Sequence, residues 1–118
     1  GNVLYEQEKY EEATAAYRRA VSLNPRDHSS INNLAWVYAV QGAHLDEGIR
    51  LSYRALRLNP NTPAYLDTLA ELYFRRGEYR RAAEVIRHAI ALKPDDPELR
   101  EHLQSQLGKF LAASRGRA

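Results

Sequence analysis

Residues 66–94 read LDTLAELYFRRGEYRRAAEVIRHAIALKP, and this stretch decides the fold. Leu66, Leu69, Ala70 and Tyr73 recur at the i, i+3, i+4, i+7 spacing that puts apolar side chains along one stripe of a helix. Gly77 interrupts the pattern. Tyr79, Ala82, Ala83, Ile86, Ala89 and Ile90 then form a second stripe, which stops before Pro94 because proline lacks the N–H that a helix interior needs. Upstream, Thr62 is placed to cap the first helix and Pro63 suits its first turn, where an N–H has no partner in any case. Ala70, Ala82 and Ala89 are small where the two helices face each other, which lets their axes come within ~8–10 Å. The stretch is a helix–turn–helix unit with one apolar seam.

Working outward, the same unit recurs. Leu23-Asn24-Pro25, Leu58-Asn59-Pro60 and Leu92-Lys93-Pro94 end three similar phrases, 35 and 34 residues apart. Ala20, Ala55 and Ala89 precede the three prolines at one fixed distance, Val21, Leu56 and Ile90 at another, and Tyr10, Leu45 and Tyr79 at a third. Leu34, Ala35 and Tyr38 answer Leu69, Ala70 and Tyr73, while Leu4 answers Tyr38. The middle unit therefore carries one extra residue between Tyr38 and Leu45, which fits the turn Gly42-Ala43-His44. A period of this length predicts stacked units that bury their apolar faces only against one another. The spacing gives helices near 10–23, 28–41 and 45–58. Asp96-Pro97 opens a last helix with Leu99, Leu103, Gln106, Leu107 and Phe110 along one side, and Arg115-Gly116-Arg117-Ala118 reads as a frayed tail. With the remnant before Tyr10, about seven helices and no strand are expected.

These residues resemble the tetratricopeptide repeat, whose pattern is W-x2-L-G-x2-Y, A-x3-F, P. The third unit reads Leu66-x2-Leu69-Ala70-x2-Tyr73, Ala82-x3-Ile86, Pro94, and the second Ile31-x2-Leu34-Ala35-x2-Tyr38, Gly48-x3-Ser52, Pro60. The first begins inside the pattern at Gly1-x2-Leu4 and continues with Ala13-x3-Tyr17 and Pro25. The resemblance implies an all-α, right-handed α-solenoid. Residues 1–96 form about three units (1–27 truncated, 28–62 with the insertion, 63–96), followed by a capping helix at 97–113 and a tail at 114–118. Gly48 and Ser52 replace an alanine and an aromatic, so the second helix of the middle unit is expected to pack least well.

The composition excludes several classes of function. The 118 residues are 44% hydrophobic and 27% charged, a globular mixture, with no apolar run as long as the ~20 residues of a membrane-spanning helix. Absence of cysteine rules out thiol nucleophiles and cysteine-ligated metals, and is compatible with cytoplasm and periplasm alike. With no methionine, the chain is expected to be a processed or excised piece of something longer. A net charge of +2 is too small for a basic nucleic-acid stripe. Arg18-Arg19, Arg75-Arg76 and Arg80-Arg81 read as a solvated face, interleaved with Glu78 and Glu84 at ion-pairing distance. His28, His44, His88 and His102 show no metal-ligand spacing, and Asp46-Glu47 and Asp95-Asp96 stand where helix N-termini favour negative charge. No phosphate loop or nucleophile elbow occurs. No enzymatic activity, cofactor or metal is expected.

In tetratricopeptide domains the first helices of the units line a concave groove that takes an extended segment or helix of a protein partner. Mapped by repeat position, the resemblance implies a groove of Asn2 and Tyr5, with Glu6 beside them, from the first unit. The second unit supplies Asn32, Asn33, Trp36 and Val40, with Ser29. The third supplies Asp67, Thr68, Glu71, Phe74 and Arg75, and the last helix His102, with Glu98 and Glu101. Trp36, the single tryptophan, lies off the core stripe and is the candidate anchor, with Asn33, Glu71, Phe74 and Arg75 around it. Receptors that clamp the C-terminal carboxylate of heat-shock chaperones place cations in the third unit, at positions held here by Ala64 and Thr68. Such a clamp is therefore not expected. Two other roles remain compatible with the residues: packing within an assembly, or an accessory domain of a larger and even enzymatic parent. The N-terminal edge, where half a helix is missing before Tyr17, Ala20 and Val21, calls for cover by upstream sequence or a neighbouring subunit.

Overall fold

A computed structural model describes the backbone of residues 2–116 and the side chains of residues 6–116. Among these there are six helices and no strand: α1 (Asn2–Leu23), α2 (His28–Gln41), α3 (Leu45–Leu58), α4 (Pro63–Arg75), α5 (Tyr79–Ala91) and α6 (Pro97–Arg115). Each helix packs on the next in sequence, and α2 also packs directly on α4, one unit further along. This is the connectivity of a solenoid of helical pairs, α2–α3 and α4–α5, flanked by α1 and α6.

The terminators work as their residues dictate. Gly42 and Gly77 end α2 and α4 in the left-handed region, at φ 69° and 90°, where a side chain is unfavourable. The residue at the corresponding place of the first unit is Glu8. With no glycine to turn the chain, the helix runs straight through, and α1 spans 22 residues where two helices were expected. Six helices thus replace seven where the first unit has Glu8 in place of the glycine that ends α2 and α4. The extra residue of the middle unit does lie in the turn before Leu45: His44 takes φ 55° there and its ring lies tilted against that of Tyr38, centroids 5.2 Å apart.

At the helix starts, Asp27 and Asp96 cap α2 and α6 through bonds from the Ser30 and Glu98 amides. Thr62 occupies the cap position of α4, but its hydroxyl turns away and donates to the Asn59 carbonyl at 2.7 Å. Pro63 supplies the preset first turn. The last helix extends two residues beyond the expected 113, through Arg115, and residues 117–118 lie outside the described residues.

The core is a seam of small and large residues. Ala35, Ala39, Ala70, Ala82 and Ala89 are buried at the helix crossings, and Leu69, Leu72, Tyr73, Ile86, Leu103 and Phe110 fill the space between them. The expectation for α3 is corrected here. Gly48 and Ser52 are both buried, and a Cβ built on Gly48 would stand only 2.7 Å from Leu72 Cδ2. The helix is close-packed because Leu72 fills the room the missing methyl leaves. What α3 does bear is a polar cost, since the buried Ser52 hydroxyl has no hydrogen-bond partner among the described residues.

α1 is the exception to this burial. Not one of residues 6–23 is buried: Tyr10, Ala13, Tyr17, Ala20 and Val21 are half-covered along the side toward α2, and Leu23 is 81% exposed.

Candidate functional site

The first helices of successive units, α2, α4 and α6, carry the residues singled out from the sequence. On α2, Ile31, Leu34, Ala35 and Tyr38 point into the core, which turns Trp36 outward at 40% exposure, with Asn32, Asn33 and Val40 half-buried near it in sequence. An indole left this open on a helix whose other large apolar residues are covered is the most conspicuous apolar feature of this face. Ser29 is exposed at the start of α2.

On α4 the polar residues are drawn inward. Asp67, Thr68 and Glu71 are all buried, and each carries a hydrogen bond. Asp67 accepts from His102 Nε2 at 2.9 Å and from Gln106 Nε2 at 3.3 Å, both on α6. Thr68 Oγ1 donates to the Ala64 carbonyl at 3.2 Å, the bond a helical threonine makes to its own preceding turn. Glu71 Oε1 receives Lys109 Nζ at 3.2 Å and faces Arg75 Nε at 3.8 Å. Phe74 is half-buried between Tyr79 and Phe110, its ring 5.3 and 5.0 Å from theirs, and Lys109 lies 4.6 Å from its centroid.

The structure therefore brings Asp67 together with His102 and Gln106 of α6, and Glu71 with Arg75 of its own helix, while Lys109 of α6 reaches both Glu71 and Phe74. Two of these linking residues were missed from sequence. Gln106 was read only as part of the apolar side of the last helix, and Lys109 was not singled out at all. A signal did exist: Lys109 stands thirteenth from Pro97, as Arg75 stands thirteenth from Pro63. Glu98 and Glu101 are exposed on α6. Glu6 is exposed on the straight α1, while the side chains of Asn2 and Tyr5 lie outside the described residues.

Chemically, α2 offers an exposed indole and amide groups at Asn32 and Asn33, and α4 with α6 offers a row of charges held by one another. Two buried acceptors, Asn32 Oδ1 and Glu71 Oε2, have no hydrogen-bond partner among the described residues. Among the described residues no three His, Asp or Glu side chains are grouped so that they could hold a metal ion, and no helix is long and apolar enough to cross a membrane.

Helical pairs packed one on the next in sequence order, with small residues buried between them, define the class: an α-helical repeat protein. Residues 1–42 match the family described as TPR repeat, and residues 63–105 that described as tetratricopeptide repeat. The chain belongs to the tetratricopeptide-repeat family. It is 31% identical over 116 residues to Hsp70-Hsp90 organizing protein 1 of Glycine max, covering 98% of this chain and 20% of that protein. The chain spans about a fifth of the length of the first curated relatives it matches. Among solved structures, the Yersinia enterocolitica type III secretion translocator chaperone SycD superposes with a TM-score of 0.78 at 22% identity, over 94% of this chain and 78% of that one. The first TPR of Spaghetti (RPAP3), bound to the HSP90 peptide SRMEEVD, does so with a TM-score of 0.72 at 20% identity, over 95% and 87%. The structural likenesses establish the repeat fold.

Proposed function

We propose that this chain is a non-enzymatic protein-interaction module whose concave face, lined by α2, α4 and α6, receives a segment of a protein partner with Trp36 as its anchor. The observation that carries this reading is the 40% exposure of the only tryptophan, on a helix whose Ile31, Leu34 and Tyr38 are buried. Aromatic anchors at the centre of an interface supply a large share of binding energy. The relatives support the same reading. The Glycine max protein is named as an organizing protein of Hsp70 and Hsp90, and one structural neighbour was solved with an HSP90 peptide. Residues 1–96 then serve as the repeat array and 97–113 as its cap, with the half-covered α1 edge facing further sequence or a neighbouring subunit.

The partner segment is not recognised through a terminal carboxylate of the chaperone kind. Ala64 has no donor to offer such a group, and Thr68 is buried with its hydroxyl spent on the Ala64 carbonyl. Charge-assisted bonds from two cations would be missing.

Two binding measurements test this. The peptide SRMEEVD, titrated by calorimetry, is expected to show no micromolar affinity; micromolar binding abolished by amidating its terminus refutes the exclusion. For a peptide selected from a random display library, Trp36→Ala should weaken binding by about 2 kcal/mol while the fold is retained. Unchanged affinity would place the site elsewhere on the molecule.

A further inference from the structure

Arg75 and Lys109 come from different helices, yet both reach one oxygen atom. Glu71 Oε1 lies 3.8 Å from Arg75 Nε and 3.2 Å from Lys109 Nζ, so the two cationic nitrogens stand within about 7 Å of each other. The Glu71 side chain is 6% exposed, whereas those of Arg75 and Lys109 keep 40% and 44% of their surface. One buried carboxylate thus faces two cations, which leaves a positive charge in surplus on the solvent side. Most N–H donors of a guanidinium sit on its Nη atoms, away from the Nε engaged here. Lys109 is held further by the rings of Phe74 and Phe110, at 4.6 and 5.5 Å. Long cationic side chains ordinarily lose much rotamer freedom on binding an anion; Lys109, already held by Glu71 and two rings, loses less.

The register of the repeat sets this pair beside the aromatic anchor. Counted from the first residue of each helix, Glu71 is ninth in α4 and Lys109 thirteenth in α6. One unit earlier the ninth residue of α2 is Trp36, and the thirteenth of α4 is Arg75. Arg75 thus stands in the same register to Trp36 as Lys109 does to Glu71, which orders an indole and two cations along successive first helices.

We propose that Arg75 and Lys109 bind the carboxylate of an aspartate or glutamate side chain within the partner segment, next to an apolar residue seated on Trp36, with Glu71 positioning both cations from below. This rests on the concave-face reading of the function. The site differs from a chain-end clamp, because its cations stand away from Ala64 and Thr68 and it takes an internal side chain.

The probe is a random linear peptide library displayed with both ends fused, so that no free terminal carboxylate is offered, selected on the wild-type chain. Selected peptides are expected to carry Asp or Glu at a fixed spacing from an aromatic or aliphatic residue. A synthetic copy of the best one, amidated at its C-terminus, should bind roughly tenfold more tightly than its Glu→Gln or Asp→Asn version at low salt. The ratio should shrink as salt is raised. On the Arg75→Met/Lys109→Met double variant the two peptides should bind alike while both still depend on Trp36. Equal binding of the two peptides to the wild type overturns the proposal whether or not the double variant folds, and so does undiminished discrimination by a folded double variant. Selection of peptides that depend on Trp36 but lack an acidic residue overturns this inference alone. Failure to select any peptide that Trp36→Ala loses removes the concave-face reading, and this inference with it.

Discussion

Alanine is the residue the family pattern places where Gly48 stands, and restoring it should destabilise this protein. Two effects oppose each other. Replacing glycine by alanine inside a helix stabilises by up to about 1 kcal/mol, because the backbone loses less freedom on folding. Against this, the new methyl would stand 2.7 Å from Leu72 Cδ2 and 3.5 Å from Tyr38 Cβ. Leu72 is fully buried, so its side chain has little room to yield, and overpacking of this kind costs about 1–3 kcal/mol. The net expectation is a loss of about 1 kcal/mol, or roughly 4 °C in Tm for a domain of this size. Urea unfolding followed by far-UV circular dichroism measures it. The double-mutant cycle with Leu72→Ala isolates the cause: once Leu72 is truncated, alanine at 48 should stabilise relative to glycine. A Gly48→Ala variant as stable as the wild type, or more so, refutes the claim that Leu72 occupies the space of the missing methyl.

Other expectations follow from the same structure. Ser52→Ala removes a buried hydroxyl that has no partner among the described residues, so it should stabilise by about 1 kcal/mol in the same urea assay. Tyr73, buried and hydrogen-bonded at 2.7 Å to Tyr53, has its pKa pushed up to about 12, mainly by burial. A raised pKa stabilises the fold fully below the unfolded value near 10, and this contribution is lost as pH climbs toward 12. Unfolding monitored across that window should therefore show stability falling by up to about 2 kcal/mol, and Tyr73→Phe should reduce the fall. Because none of residues 6–23 is buried, amides of residues 10–20 should exchange faster than those of 79–92 in a monomeric sample; equal protection would mean that the α1 edge needs no cover.

Much of this architecture was legible in the sequence because repeat units write their contacts at fixed spacing. Leu34, Ala35 and Tyr38, and their counterparts Leu69, Ala70 and Tyr73, announced the buried stripes, and all six are buried. The outward turn of Trp36 was equally readable, since it falls between stripe positions. The fusion of the first two helices into α1 was not read, although Glu8 stood where Gly42 and Gly77 stand; periodicity locates helices better than it locates the turns between them. Gly48 reads as a packing defect from sequence because its neighbour Leu72, in the next unit, is invisible to a within-unit pattern. Lys109 and Gln106 escaped for a similar reason: their partners Glu71 and Asp67 lie 38 and 39 residues away, and sequence spacing carries no information on which polar groups meet across helices.

The central claim, that a partner segment docks on the concave face at Trp36, has a direct reporter because the chain holds a single tryptophan. Its emission should shift to shorter wavelength and become shielded from acrylamide as a library-selected peptide is titrated in, with the same midpoint as binding measured independently by anisotropy. Saturation of binding with Trp36 emission and quenching unchanged would contradict the claim.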